Sequence, residues 1–129
     1  VQLSPFPPDP GADRYVYDRL QVLRVVDGDT VVLRFPLPFN VLADLDVRLL
    51  GIDAPERVGA SRAAGEAAKT YLAALLDSGD ALRARSHKTD RYGRYLAELW
   101  LRRGGEWHNV SLLLLEAGHA SPYDGGARR

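Results

Sequence analysis

Asp46-Val47-Arg48-Leu49-Leu50-Gly51-Ile52-Asp53-Ala54-Pro55-Glu56 is the stretch on which the reading of this chain turns. Asp46–Ile52 reads as a strand, and Asp53-Ala54-Pro55 ends it, because proline fixes φ and removes a ladder donor. Arg48 interrupts an apolar run, so it lies on a solvated face or has a partner. Asp53 and Glu56 stand three residues apart around a proline-stiffened bend. Such a pair is an ordinary acidic turn, or it aims one carboxylate at a cation and the other at a water beside it. Ala54 offers a backbone carbonyl between them. Calcium accepts such a mixture of carboxylate, carbonyl and water, with about six to eight oxygen ligands.

Working outward, Tyr15–Val26 is strand-like, Asp27-Gly28 is a hairpin signal, and Thr30–Phe35 is a second strand rich in β-branched residues. Pro36 and Pro38 break it, and a loop runs on through Leu45. Arg57–Ser61 reads as a loop. Ala67, Ala68, Tyr71, Leu72, Leu75 and Leu76 then repeat at helical spacing, with Gly79 as the stop. Ala81–Ser86 and Tyr95–Arg102 are two more strands around the loop His87–Arg94, and Gly104-Gly105 is a turn. A last helix runs from Asn109, a good N-cap, to Gly118, with Val110, Leu113, Leu114 and Ala117 as its inner face. Leu112 and Leu115 fall outside that face and need cover.

Three strands, a helix, two strands and a helix do not alternate as a parallel α/β sheet would. The order predicts an α+β, mainly β fold: a five-stranded, closed barrel of the oligonucleotide-binding (OB-fold) type with two packed helices. Residues 1–14, with Pro5, Pro7, Pro8, Pro10 and Gly11, read as an extended proline-rich arm, and residues 15–129 as a single domain. At 129 residues the chain is long enough for one closed core. Its start at Val1, with no methionine anywhere, reads as a natural start that was trimmed, processed or omitted, which leaves the compartment unassigned.

The absence of cysteine excludes a disulfide framework, a thiolate metal site and a cysteine nucleophile. No apolar run is long enough for a bilayer, so no membrane partner is expected. His87, His108 and His119 lack helix-face metal spacing and read as surface or capping residues. Formal charge is zero, which argues against strong sequence-independent nucleic-acid binding. The distribution is uneven: residues 83–94 carry Arg83, Arg85, Lys88, Arg91 and Arg94 against Asp90 alone. Arginine suits bidentate phosphate contacts, although genomic base composition explains the preference equally well.

Two further motifs accompany the first. Asp27-Gly28-Asp29-Thr30 is a tight hairpin, or it places Asp29, at the start of a strand, where its carboxylate points across the barrel wall. Asp90-Arg91-Tyr92-Gly93-Arg94 is a polar hairpin tip, or it supplies Arg94 as a phosphate clamp with Arg91 and Tyr92 on a nucleotide. Two separated carboxylates for a hard cation, a third as base and two arginines for a phosphate are what a metal-assisted phosphodiesterase needs.

In this order and in this pattern of elements, the three motifs resemble the staphylococcal nuclease (thermonuclease) family from about Leu20 to Ala120, with a looser match over Ser111–Ala120. The resemblance implies an OB-type barrel and calcium-dependent (Ca2+) hydrolysis of phosphodiester bonds in DNA and RNA by water, leaving 3′-phosphates. It implies that Asp29 and Asp53 are carboxylate calcium ligands, that Ala54 stands at the carbonyl ligand and that Glu56 is the base. It also implies that Arg48 and Arg94 bind the scissile phosphate, that Asp27 is an acid beside the metal, and that Arg91 and Tyr92 contact the nucleotide. Tyr123 falls near a tyrosine of the nucleotide pocket. The expected partner is a nucleic acid, and the protein is expected to act as a monomer.

Departures accompany the likeness. Eleven residues follow Gly118, too few for the family's third helix, so the N-terminal arm, a partner or another segment covers Leu112 and Leu115. The loop after Glu56 is shorter than in the staphylococcal enzyme. The rival reading is a non-catalytic barrel that binds single-stranded nucleic acid or a protein. It predicts stacked aromatics on an open face, and Tyr15, Tyr17, Tyr92 and Tyr95 form no dense cluster in sequence.

Overall fold

A computed structural model describes residues 2–87 and 94–123. In chain order they form β1 (Val16–Asp18), β2 (Gln21–Asp27), β3 (Thr30–Leu37), β4 (Val41–Leu49), β5 (Ile52–Asp53), α1 (Arg62–Asp77), β6 (Ala81–His87), β7 (Tyr95–Arg103), β8 (Glu106–Asn109), α2 (Val110–Glu116) and β9 (Ser121–Pro122). Short 3-10 turns occupy Pro38–Asn40 and Gly59–Ser61. The expected mainly β architecture with two helices is present. The five expected strands correspond to β2, β3, β4, β6 and β7, and four short strands join them.

Strand order in the main sheet is β1-β6-β7-β4-β3-β2, with β8 paired to β7. Among the described residues this sheet is not closed, contrary to the closed barrel expected. The cause is a break in what the sequence suggested was one strand. Arg19 adopts φ +60°, in the left-handed region, so the chain bends there and pairs on both sides of the bend with different neighbours. Residues before it pair with β6 and residues after it with β3. The two edges of the sheet are therefore consecutive in the chain.

The long loop expected through Leu45 is instead the tip of a hairpin. β3 and β4 pair from Thr30↔Arg48 out to Leu37↔Val41. Pro36 is tolerated within β3 because β2 reaches only to Gln21↔Arg34; beyond that point β3 has β4 as its one neighbour, and proline belongs on such an edge. Alternation sends Val31, Leu33 and Phe35 of β3 and Val47 and Leu49 of β4 into the core, with Leu72 of α1, Leu99 of β7 and Leu114 of α2.

β4 and β7 run parallel, with Val47↔Tyr95, Arg48↔Leu96 and Leu49↔Ala97. Parallel strands need a long crossover, and α1 with β6 provides it. Helix α1 buries Gly65, Ala68, Leu72, Leu75 and Leu76. It packs tightly at two glycines: a Cβ on Gly28 would meet the Ala68 and Ala54 methyls at 2.6 and 2.9 Å, and one on Gly65 would lie 2.6 Å from the Glu56 carbonyl oxygen. Gly28 is thus needed for close approach of the helix and not for the left-handed hairpin turn that Asp-Gly suggests. Gly79, expected as the stop of α1, makes room for Leu101.

Asn109 caps α2 as expected, its side-chain oxygen accepting from Ser111 and Leu112 N–H at 2.9 and 3.3 Å. The buried face differs from the expected one. Val110, Ser111 and Leu114 are buried, Leu113 and Leu115 pack against the core while partly buried, and Ala117 is exposed. Ser111 is accommodated because its hydroxyl donates to the Leu50 carbonyl at 3.1 Å.

Residues 2–15 hold no helix or strand, yet they are anchored. Ser4 N–H donates to Glu98 Oε2 (3.3 Å), while the Ser4 carbonyl accepts from Trp100 Nε1 (2.9 Å) and Asn109 Nδ2 (2.8 Å). Arg83 donates to the Pro8 carbonyl at 3.0 Å. This strap covers the outer face of β7, where Glu98 and Trp100 are buried.

Candidate active site

Arg48 is the centre of the site. Alternation turns it away from Val47 and Leu49, onto the outer face of β4, yet it is only 3% exposed. Its partners explain this. Nη1 lies 2.9 Å from Asp29 Oδ2 and Nη2 lies 3.0 Å from Asp53 Oδ1. Nη2 also donates to the Ile52 carbonyl at 3.1 Å, and the guanidinium carbon sits 5.2 Å from the centre of the Tyr123 ring. A guanidinium carries five N–H bonds, and these contacts engage three of them. Of the two alternatives open in the sequence, a solvated face or a partner, the structure shows a partner on each side.

Backbone connections hold the carboxylates in place. Asp29 precedes β3, and its carbonyl accepts from Leu49 N–H at 2.8 Å. Asp29 Oδ2 also accepts from Ala54 N–H at 2.9 Å, and Oδ1 from the Thr30 hydroxyl at 3.0 Å. Asp53 belongs to β5, which pairs with β9 through Ile52↔Pro122 and Asp53↔Ser121. That pairing, and the Tyr123 N–H donating to the Gly51 carbonyl at 2.9 Å, bring the tail of the chain over Arg48. Asp29, Arg48, the adjacent pair Asp53 and Ala54, and Tyr123 are therefore in one place, drawn from four stretches of the chain.

Glu56 is exposed three residues beyond Asp53. Its position is set through its backbone: the Ser61 hydroxyl donates to the Glu56 carbonyl at 2.7 Å, and Gly65 lets α1 lie directly against it. Asp53, Ala54, Pro55 and Glu56 line a cleft of about 510 Å³ together with Ser61 and Gly118–Ser121. Arg94 is exposed, one residue before β7. Arg48 is in register with Leu96, two residues after Arg94. Asp27 turns to Arg57 (2.7 Å), which also reaches Glu66 (3.3 Å); the two hydrogen bonds raise the Arg57 pKa above its ordinary value. Arg91 and Tyr92 lie outside the described residues.

The side-chain groups beside Arg48 that could hold a cation are oxygens, the carboxylates of Asp29 and Asp53. This set fits a hard cation such as calcium and not a zinc site built from nitrogen and sulfur. Two carboxylates against one guanidinium leave a formal charge of −1 for these three side chains. Among the described residues no group of three or more His, Cys, Asp or Glu side chains converges as a metal cluster.

Sequence reasoning missed Arg57, Ser61 and His119, all adjacent to the site. Ser61 and Arg57 sat in a stretch read as loop. His119 carried no spacing signal, because what places it is the end of α2 and the pairing of β9.

Known proteins resemble this chain over most of its length. The family model described as staphylococcal nuclease homologue matches residues 46–128. Endonuclease YhcR of Bacillus subtilis (strain 168) is 34% identical over 110 residues, 78% of this chain and 8% of that protein. Protein ParB of Escherichia coli is 34% identical over 113 residues, 81% of this chain and 57% of that one. Thermonuclease of Staphylococcus intermedius is 36% identical over 95 residues, 70% of this chain and 52% of that enzyme. The chain thus spans little more than half of two of these relatives and a small part of the third.

Proposed function

Since the chain belongs to the staphylococcal nuclease homologue family, we propose that it is a calcium-dependent nuclease that hydrolyses phosphodiester bonds of DNA or RNA with water and leaves 3′-phosphates. The observation that carries this reading is the convergence of Asp29, Asp53 and Arg48 within 3.0 Å contacts, beside a cleft that Glu56 lines.

Each side chain has a role suited to its chemistry. A calcium ion held by Asp29, Asp53 and the Ala54 carbonyl would supply Lewis-acid polarisation of a phosphoryl oxygen. Glu56, solvent-facing on the cleft wall, accepts a hydrogen bond from the attacking water and orients it. Arg48 has two N–H bonds beyond those directed at Asp29, Asp53 and the Ile52 carbonyl, and these meet a phosphoryl oxygen as charge builds on it. Arg94 approaches from the neighbouring strand. Both arginines act by charge and geometry, because a guanidinium does not release its proton. Asp27 acts at one remove, by holding Arg57 against the segment that carries Glu56. Tyr123, stacked over Arg48, contacts the nucleotide, as do Arg91 and Tyr92. The protein acts as a monomeric domain, residues 15–129, preceded by a proline-rich arm, residues 1–14, of which Ser4 and Pro8 are fastened to the domain.

The test is cleavage of denatured DNA with calcium, with magnesium and with chelator, by the wild type, Glu56→Gln and Asp29→Ala. Calorimetric titration with calcium, on wild type and Asp53→Asn, gives a readout independent of turnover. The expected result is calcium-dependent cleavage lost in both variants, and calcium binding weakened by Asp53→Asn. Cleavage that survives chelator, or is unchanged in both variants, would overturn the mechanism.

A further inference from the structure

His119 is the one aromatic side chain lining the cleft described above, in a wall otherwise made of small or acidic residues. It is not there by chance of a loose loop. Helix α2 ends in a Schellman arrangement: Gly118 N–H donates to the Leu115 carbonyl at 3.1 Å and His119 N–H to the Leu114 carbonyl at 3.0 Å. Gly118 takes φ +76°, which glycine adopts without the Cβ penalty. Two residues later the chain is fastened again, where Ser121 pairs with Asp53. The His119 backbone is thus held at both ends, and the second fastening is to the strand that carries Asp53.

The side chain is held as well. Its ring lies against Tyr71 of α1, with centroids 4.5 Å apart and planes tilted by 32°, and Tyr71 packs on the core. One face of the imidazole is used by this contact. The residue is half-buried, and it lines the same cleft as Asp53–Glu56. A rigid, half-buried aromatic ring, backed by a second ring and facing a cleft for a polynucleotide, is a stacking platform, since every base presents a π-face.

We infer that His119 binds a nucleobase next to the scissile phosphate by stacking, and so forms a base subsite in the cleft that Asp53 and Glu56 also line. This rests on the nuclease reading above. Because stacking is sequence-tolerant, the subsite favours strands whose bases are unpaired, and its contribution falls on substrate binding.

The experiment compares wild type, His119→Ala and His119→Phe on two single-stranded substrates: an oligothymidylate and the same strand with abasic residues flanking the cut. Thermal melts check that both variants fold. His119→Ala is expected to raise KM for the base-bearing strand roughly tenfold, with kcat changed less than twofold. His119→Phe is expected to restore KM, and the gap between wild type and His119→Ala is expected to vanish on the abasic strand. An unchanged KM in His119→Ala, with wild type active, overturns the subsite and leaves the nuclease reading intact. A kcat loss shared by His119→Ala and His119→Phe overturns it in favour of proton transfer. A wild type that cuts neither strand overturns the nuclease reading and this inference with it.

Discussion

Arg48 and Glu56 differ in what their loss should do. Arg48 is buried between two carboxylates, so a change there affects folding and chemistry together. Arg48→Lys keeps the charge but loses the fork that spans Asp29 and Asp53. It is expected to lower kcat on the order of a hundred- to a thousandfold and to lower the melting temperature, since a poorly paired buried carboxylate is costly. Glu56 is exposed. Glu56→Gln is expected to lower kcat while leaving the melting temperature nearly unchanged, and the two measurements side by side separate the roles. Gly65→Ala is a third case. Its Cβ would press on the Glu56 carbonyl, and overpacking of this kind costs about 1–3 kcal/mol. Chemical denaturation measures that cost, and the accompanying fall in kcat shows whether the shift reaches Glu56.

At the scale of elements, the β3–β4 hairpin shows what pH can reach. The Asp44 carboxyl is held below its ordinary value, chiefly by the hydrogen bond from Arg34. A carboxyl lowered on folding adds stability above its unfolded pKa and loses it as pH falls through the lowered value. Both partners are exposed, so solvent screens them. Asp44→Asn should therefore change the melting temperature slightly at pH 7, and this difference should fade as pH falls through the lowered Asp44 value. The same hairpin marks where the sequence was legible. Val31, Leu33 and Phe35 announce β3 by alternation, but Pro36 and Pro38 hid its outer turn, because whether proline breaks a strand depends on which neighbour is present. Asn109 announced α2 by its cap. The inner face was misjudged because Ser111, polar and buried, is satisfied by Leu50, a residue 61 positions away. Asp29, Asp53 and Glu56 were legible as motifs. The grip of Arg48 on two of them was not, since it depends on the β3–β4 register that sets Thr30 beside Arg48 and on the position of β5, which pairs with β9 in strands of two residues each, too short to leave a periodic signal.

For the whole molecule, formal neutrality limits how strongly a polyanion is drawn in. With two arginines at the phosphate, the logarithm of the apparent affinity for single strands should fall with the logarithm of salt at a slope of about −1 to −2. A much steeper slope would mean that more cations meet the backbone than Arg48 and Arg94. The strap of residues 2–8 spans from one end of the sequence to β7, β8 and the cap of α2. Its removal leaves Trp100, Asn109 and Glu98 without these partners, and is expected to cost on the order of 2–4 kcal/mol, read by urea denaturation. The chain has two tryptophans, and their surroundings are unalike. Trp107 is half-exposed beneath the guanidiniums of Arg83 and Arg102, whereas Trp100 is 1% exposed, with its indole N–H tied to Ser4. Emission from Trp100 should shift to longer wavelength once Ser4 leaves, so the protein carries its own optical gauge of whether its first residues are seated, and needs no attached dye.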